Sequence, residues 1–425
     1  MNLIKELSWR GMIQDIIPGT EDQLNKEKTT GYIGFDPTAT SLHIGSMVPI
    51  LLLVHLQKAG HQPIALIGGA TGMIGDPSGK SQERNLLNEQ QLAENVAGIQ
   101  KQLEKYLNFD PSIPNPAKVV NNYDWFKNIS FLDFLRDAGK HITVNYMMAK
   151  DSVKKRFEGE VGISYTEFAY QLMQGYDFYH LYNDINCKLQ MGGSDQWGNI
   201  TTGTEFVRRK SNGDVFAFTC PLIRKADGTK FGKTESGNIW LDPERTTPYQ
   251  FYQFWLNASD EDAASWIKIF TFLDESTIND LIAEHKDDAS KRLLQKTLAK
   301  EITCFVHGKD EFEKAVITTE KLFSNQSKPA EEMSIEDLEG LEGVIKSKIS
   351  KSQLENGLDI ISLLSENNIA TSKGDAKKLV QGGGISLNRK KIEDIQQIIS
   401  SQNLLHQQYL LLQKGKKNYY LIEVE

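Results

Sequence analysis

The sequence predicts an α/β protein: a doubly wound parallel sheet comes first, then a helical domain, then a small α+β unit at the end of the chain. Three observations carry that expectation. Residues 31–69 hold an apolar stretch, a Pro/Thr-rich loop, a helical run and a second apolar stretch, the order of a βαβ unit, which requires a parallel pair and a right-handed crossover. Glycine-rich turns follow apolar stretches at 68–79 and 192–198, where such a sheet places its ligand loops. From Thr247 to about Phe323 apolar residues recur at helical spacing with almost no glycine.

The first strand is expected at GYIGFD (31–36), the helix from Gly45 to about Lys58, and the second strand at PIALIGG (63–69). Residues 324–343 contain six acidic side chains and a single basic one, Lys328, which suits an acidic linker. After it, residues 356–425 carry nine basic against seven acidic residues, with Lys373, Lys377 and Lys378 in one cluster and Arg389, Lys390 and Lys391 in another.

The 425 residues suffice for about two to four domains and a core without covalent staples. Hydrophobic residues at 39%, charged residues at 24% and only 12 prolines exclude a disordered polyampholyte and a fibrous repeat. A net charge of -8 excludes coating of nucleic acid by charge alone and leaves room for a local basic patch. The longest apolar run, residues 48–54, is far too short to span a bilayer, and the first residues lack a signal-like core, so a cytoplasmic protein without membrane contact is expected. Cys187, Cys220 and Cys304 are odd in number and widely spaced, and suit neither a disulfide framework nor a metal site.

Four motifs could carry chemistry. In DPTATSLHIGS (36–46) the chain enters a helix, whose unpaired N–H groups and partial positive charge suit a phosphate; His43 can donate to it and Gly45 lets a nucleotide close on the backbone. A local cap is the plain alternative for His43. GDPSGKS (75–81) is not a P-loop, because three residues rather than four separate Gly75 and Gly79, although Lys80 and Arg84 could still meet phosphates. In KADGTKFGKT (225–234), Lys230 and Lys233 lie on either side of Gly232 in a polar stretch, and two ammonium groups there can close over a triphosphate as charge develops. A solvated turn would look the same. Tyr170, Gln174 and Asp177 share one helical stripe at i, i+4 and i+7. A phenol, an amide and a carboxylate so placed can hold an amino acid by its ammonium and a side-chain hydroxyl, or they can tie a helix to a sheet as a satisfied buried network.

Taken in order, YIGFDPTATSLHIGS (32–46), FAYQLMQGYDF (168–178), GGSDQWGNI (192–200) and KFGKT (230–234) resemble the signatures of class I aminoacyl-tRNA synthetases, and among these the tyrosyl-tRNA synthetases of bacterial type. The tail, with GDAKKLVQGGGISLN (374–388), is similar to an S4-type RNA-binding module. The resemblance implies a Rossmann-like catalytic domain over 1–225, the KFGKT loop with a helical anticodon-side domain over 226–323, the acidic linker over 324–355 and an S4-like RNA-binding domain over 356–425. It also implies ATP as substrate, Mg²⁺ held mainly by phosphates and water, L-tyrosine and tRNA(Tyr) as partners, and a homodimer.

Residue by residue, the resemblance assigns Tyr32 and Asp177 to the substrate's phenolic hydroxyl, and Asp76, Tyr170 and Gln174 to its ammonium. Gly34, Asp36, Thr38, His43, Gly45 and Ser46 would contact ATP, with Asp195 and Gln196 near the ribose and aminoacyl group. Lys230, Lys233 and Thr234 would grip the leaving pyrophosphate and, with His43, make up the catalytic set; no covalent intermediate is needed, so position and charge must do the work. Ser46 stands where the family usually has a second histidine, and keeps one hydrogen-bond donor. For tRNA the expected contacts are Arg208, Arg209 and Lys210, then Lys377, Lys378, Arg389 and Lys390. The sister tryptophanyl enzymes are disfavoured by the Tyr170, Gln174, Asp177 triplet and by the tail. Another nucleotidyltransferase of this fold would need neither the helical domain nor the basic tail, and an RNA-binding protein without activity would have lost His43, Asp177, Lys230 or Lys233.

Overall fold

Strands β1 (Thr30–Phe35), β2 (Gln62–Ile67), β3 (Lys118–Asn121), β4 (Cys187–Gly193) and β5 (Phe216–Cys220) form one sheet in the order β3-β2-β1-β4-β5. Every neighbouring pair is parallel, so the sheet is Rossmann-like, and its order reverses between β1 and β4. This computed structural model describes residues 1–78, 87–157, 162–229, 231–234, 237–323, 329–415 and 418–425.

β2 reads as a nearly unbroken apolar run because both faces of a parallel sheet are covered; Ile64, Ala65 and Ile67 are wholly buried. Helix α1 (Met47–Lys58) follows a 3₁₀ turn, Ile44–Ser46, and so starts two residues later than Gly45; the Met47 N–H bonds the Ile44 carbonyl in the tighter pattern. Pro49 sits in its first turn, where the missing N–H costs nothing. Ile50, Leu51, Leu52 and Leu53 are all buried, as expected of a helix apolar on every side.

Helix α2 (Tyr165–Ile185) is capped by the Ser164 side chain, which accepts from the Glu167 N–H, and is stopped by left-handed Asn186. Helix α3 (Trp197–Ser211) leaves the end of β4. Tyr32 of β1, Phe178 and Leu181 of α2 and Val207 of α3 share one apolar cluster, which seats α2 on the sheet.

The chain divides into two compact units: Met1–Asp242 with Ser259–Leu294, and Pro243–Ala258 with Gln295–Glu425. Helix α4 (Asp260–Phe270) and the Glu275–Asp287 helix belong to the first. In the second, the Pro248–Leu256 helix opens with a Thr247/Gln250 capping box and proline at its start. A five-stranded sheet there has Tyr409–Lys414 and Asn418–Val424 as an antiparallel pair, with Ile345–Ile349 added in parallel at the edge. The 324–355 stretch therefore contributes a strand to this sheet. Helices Ile360–Glu366 and Lys373–Gln381 cover a core that includes Leu363, Leu364, Ile385, Leu410 and Ile422. No helix among the described residues is long and apolar enough to cross a membrane.

Candidate active site

A ligand of such a sheet binds outside the carboxyl ends of the strands where the order reverses, here after β1 and β4. Tyr32 lies on β1, 1% exposed, edge-on to Phe178 at 5.4 Å between ring centroids. Its hydroxyl is buried and has no hydrogen-bond partner among the described residues. Burial pushes the Tyr32 phenol well above its usual range, and the charge of Asp177 pushes it further.

Asp177, 2% exposed, is held from two sides: Oδ1 accepts from Trp125 Nε1 at 2.9 Å and Oδ2 from Asn122 Nδ2 at 3.1 Å. Burial pushes its carboxyl up to about 8, against those two donors. Trp125 is itself fixed by stacking on His180 at 4.4 Å.

Two turns back along α2, the Tyr170 hydroxyl donates to Asp36 Oδ2 at 2.8 Å, and Thr71 Oγ1 donates to Asp36 Oδ1 at 2.9 Å. Asn122 also reaches Thr71 Oγ1 at 3.1 Å, so Asp177, Asn122, Thr71, Asp36 and Tyr170 form one continuous chain. Gln174 lies between its two polar neighbours on the α2 stripe, half-buried.

Asp76 belongs to a second cluster. Its Oδ2 accepts from Gln196 Nε2 at 2.7 Å, and its Oδ1 from the Ser78 N–H at 2.9 Å and Asn199 Nδ2 at 3.5 Å. The loop after β2 and the start of α3 are thus joined through a carboxylate. Asp195 sits in the same 3₁₀ turn as Gln196, Ser194–Gln196, directly after β4.

On the nucleotide side, Gly34 and Thr38 are exposed on and just after β1. His43 Nδ1 accepts from the Gly45 N–H at 2.9 Å, which places the proton of the neutral ring on Nε2. A side chain at position 45 would meet the His43 ring at 2.6 Å, so only glycine permits this ring placement. Ser46 is half-buried at the head of α1 and makes no capping bond to it.

Residues 237–241 run beside this turn: the Ile44 N–H donates to the Ile239 carbonyl at 2.9 Å, and the Leu241 N–H to the Leu42 carbonyl at 2.9 Å. Gly232 has φ +83 and a Cβ there would press on Ile44 at 3.1 Å. Lys233–Thr234 pairs with Gly237–Asn238 as a short hairpin. The structure thus brings the two expected signatures, HIG and FGKT, side by side. Lys230, and Lys80 and Arg84 of the earlier loop, lie outside the described residues.

Of the expected RNA contacts, Arg208 and Arg209 both bond Glu205, and Lys210 Nζ donates to the Asp137 carbonyl at 3.3 Å and lies 4.4 Å from the Tyr179 ring centroid. Lys377 and Lys378 are fully displayed on the Lys373–Gln381 helix, whereas Lys390 pairs with Glu331 at 2.8 Å and Arg389 reaches the Lys321 carbonyl at 3.3 Å.

Thr71, Asn122 and Trp125 were not singled out by sequence, because each stands alone on a loop or short turn without a spacing to mark it. Nor was Gln190, which is opposite Tyr32 in the β1–β4 register, 2% exposed and with its Oε1 unpartnered among the described residues.

Residues 24–324 match the family described as tRNA synthetases class I (W and Y), and residues 339–422 match the tyrosine--tRNA ligase SYY-like C-terminal domain. The chain is 59% identical to the tyrosine--tRNA ligase of Bacteroides thetaiotaomicron, over 99% of each chain. It is also 59% identical to that of Flavobacterium johnsoniae, over 100% of this chain and 99% of that one. Among solved structures, a C-terminally truncated mitochondrial tyrosyl-tRNA synthetase from Aspergillus nidulans superimposes with a TM-score of 0.68 at 31% identity, covering 76% of this chain and 94% of the other. With a class I sheet, both signatures adjoining and relatives matched from end to end, the chain belongs to the tyrosine--tRNA ligase family of class I aminoacyl-tRNA synthetases.

Proposed function

We propose that this tyrosine--tRNA ligase recognises its amino acid through Tyr32 and Asp177, and that the chain of bonds behind them sets the pocket. The observation that carries the reading is the buried, unpartnered Tyr32 hydroxyl. A buried polar group without a hydrogen bond costs free energy, and the phenolic hydroxyl of L-tyrosine can both donate and accept, so it suits the Tyr32 hydroxyl and the remaining acceptor capacity of Asp177. Asp76, Tyr170 and Gln174 take the ammonium.

The enzyme uses ATP. The tyrosine carboxylate attacks the α-phosphorus in line; a carboxylate O–P bond forms as the bond to pyrophosphate breaks, giving tyrosyl-adenylate. Gly34, Asp36, Thr38, His43, Gly45 and Ser46 line the ATP path, with His43 Nε2–H donating to a phosphoryl oxygen, and Asp195 and Gln196 flank the ribose. Lys230, Lys233 and Thr234 meet the negative charge gathering on the leaving group. A terminal hydroxyl of tRNA(Tyr) then attacks the tyrosyl carbonyl and displaces AMP. Mg²⁺ would accompany ATP, held mainly by its phosphates and water, and would offset phosphate charge. Asp36, Asp76 and Asp177 are each already engaged by neutral donors, which suits an ion held by phosphates and water rather than by a protein cage.

The basic residues named above, Arg208 to Lys210 in the first unit and Lys377, Lys378, Arg389 and Lys390 in the second, supply phosphate contacts for the tRNA, and the reaction takes place in the cytoplasm. A second copy of the chain completes the enzyme; Phe131 at 64%, Leu132 at 75% and Val144 at 62% exposure offer an apolar surface for it, and sedimentation velocity reads the stoichiometry. The activity is tested by attachment of labelled tyrosine to tRNA: acylation that is lost in Asp177→Ala supports the pocket, and acylation undiminished in that variant removes Asp177 from it.

A further inference from the structure

Helix α4 touches the lysine loop at both of its ends. At the near end, Asp262 Oδ1, in the first turn of α4 and 7% exposed, accepts from the Ala226 N–H at 2.8 Å. At the far end, Phe231 is 6% exposed; its ring lies edge-on to Trp266 at 5.0 Å and stacks on Phe270 at 5.2 Å and 18°. Asp262, Trp266 and Phe270 are spaced i, i+4, i+8, so one stripe of one helix makes all three contacts. Between them the loop closes on itself, with the Lys225 N–H donating to the Thr229 carbonyl at 3.1 Å.

The stripe is braced from behind. Arg10, 3% exposed, donates to the Lys268 and Thr271 carbonyls at 2.6 and 2.8 Å and to the Leu273 carbonyl at 2.7 Å. The Lys268 and Thr271 carbonyls are acceptors at the end of α4, where a cation also suits the helix dipole, and the Leu273 carbonyl lies in the segment just beyond it. The helix is therefore held at a fixed height beneath the loop.

We infer that Asp262, Trp266 and Phe270 are positioning residues for tyrosine activation, setting where the FGKT segment stands when charge develops on the pyrophosphate. The inference rests on the reading of that segment as the pyrophosphate grip. A loop tied at 226 and 231 has less freedom to lose when its lysines engage, so untying one end slows the chemical step and leaves tyrosine binding alone.

The experiment measures ATP–pyrophosphate exchange for Asp262→Ala, Asp262→Asn, Glu261→Ala, Lys233→Ala and the Asp262→Ala/Lys233→Ala double variant. Asp262→Ala is expected to lower kcat about tenfold with the KM for tyrosine unchanged, as for one lost hydrogen bond to a charged acceptor. Asp262→Asn keeps a carbonyl for the Ala226 N–H and restores most of the rate. Glu261→Ala, an exposed acid in the same helical turn, leaves it unaltered and controls for the helix dipole. The double variant is no slower than Lys233→Ala alone, because Asp262 acts only through the loop. Full activity in Asp262→Ala, a raised KM for tyrosine, or additive losses in the double variant would overturn the positioning role while an impaired Lys233→Ala kept the loop reading intact. An unimpaired Lys233→Ala would remove both. Should Asp262→Ala melt early, Trp266→Phe tests the other anchor with the same non-additivity expected.

Discussion

Replacing Tyr32 by phenylalanine deletes one oxygen that the structure leaves buried and unpartnered. Among the described residues that hydroxyl gains no protein hydrogen bond in exchange for its burial, which costs about 1–3 kcal/mol. The ring packing on Phe178 is untouched by the change. Tyr32→Phe should therefore stabilise the free protein by about 1 kcal/mol or more, a rise of at least about 2 °C in Tm for a unit of this size. The same oxygen contacts the substrate hydroxyl in our account, so tyrosine should bind about 2- to 10-fold more weakly, the worth of one neutral hydrogen bond of about 0.5–1.5 kcal/mol. Phenylalanine should gain relative to tyrosine, since a pocket built for a hydroxyl rejects the analogue that lacks it, a rule for which tyrosyl-tRNA synthetases themselves are a standing example. Calorimetry of the free protein and the KM for tyrosine in pyrophosphate exchange report the two effects separately. A lower Tm together with an unchanged KM would refute the reasoning, because it would mean that the hydroxyl is satisfied within the protein and faces no substrate.

Asp177→Asn should flatten one limb of the stability profile: burial lifts the wild-type carboxyl from 3.8 to about 8, so the folded chain keeps a proton that the unfolded chain sheds. Wild-type stability then falls as pH rises from about 4 to 8, while the asparagine variant, with an amide facing the Trp125 or Asn122 donor, shows no such fall in urea midpoints. His55 carries the opposite sign. Both its ring nitrogens are buried without a hydrogen-bond partner among the described residues, and burial, then Arg10, bring its pKa from 6.5 down to about 4. Stability is complete above 6.5 and is lost as pH falls toward 4, by up to about 3 kcal/mol, and His55→Leu should abolish that loss in the same titration. Lys377→Ala with Lys378→Ala should weaken tRNA binding and reduce the slope of log affinity against log salt by about 1 to 2; an unaltered slope would take both lysines off the RNA.

The sheet was legible because βαβ order is written locally: a buried apolar run, a loop, a helix apolar on every side and a second run can pair only in parallel. The α2 stripe was legible for a similar reason, since Tyr170, Gln174 and Asp177 break an apolar pattern at helical spacing. What sequence could not supply is partnership across the fold. Nothing near Asp36 in the chain points to Tyr170, 134 residues on, as the donor to its carboxylate, nor does anything near Asp76 point to Gln196. Asn122 and Trp125 hold Asp177 from a short turn after β3 that carries no periodic signal. The Ile345–Ile349 strand was hidden by the acidic stretch before it; an edge strand with isoleucine only at its two ends and Lys-Ser-Lys between needs the Asn418–Val424 strand beside it to be recognised. The α4 stripe was read as ordinary helix, because Trp266 and Phe270 at i and i+4 look the same whether they face a core or a loop.

One buried pocket admits tyrosine and commits it to ATP in the proposed reaction. ATP–pyrophosphate exchange, run with each of the twenty amino acids in turn, tests it most directly. Exchange is expected with tyrosine alone, abolished in Lys233→Ala and sharply reduced in Asp177→Ala. Exchange with no amino acid, or with another such as tryptophan in place of tyrosine, would contradict it.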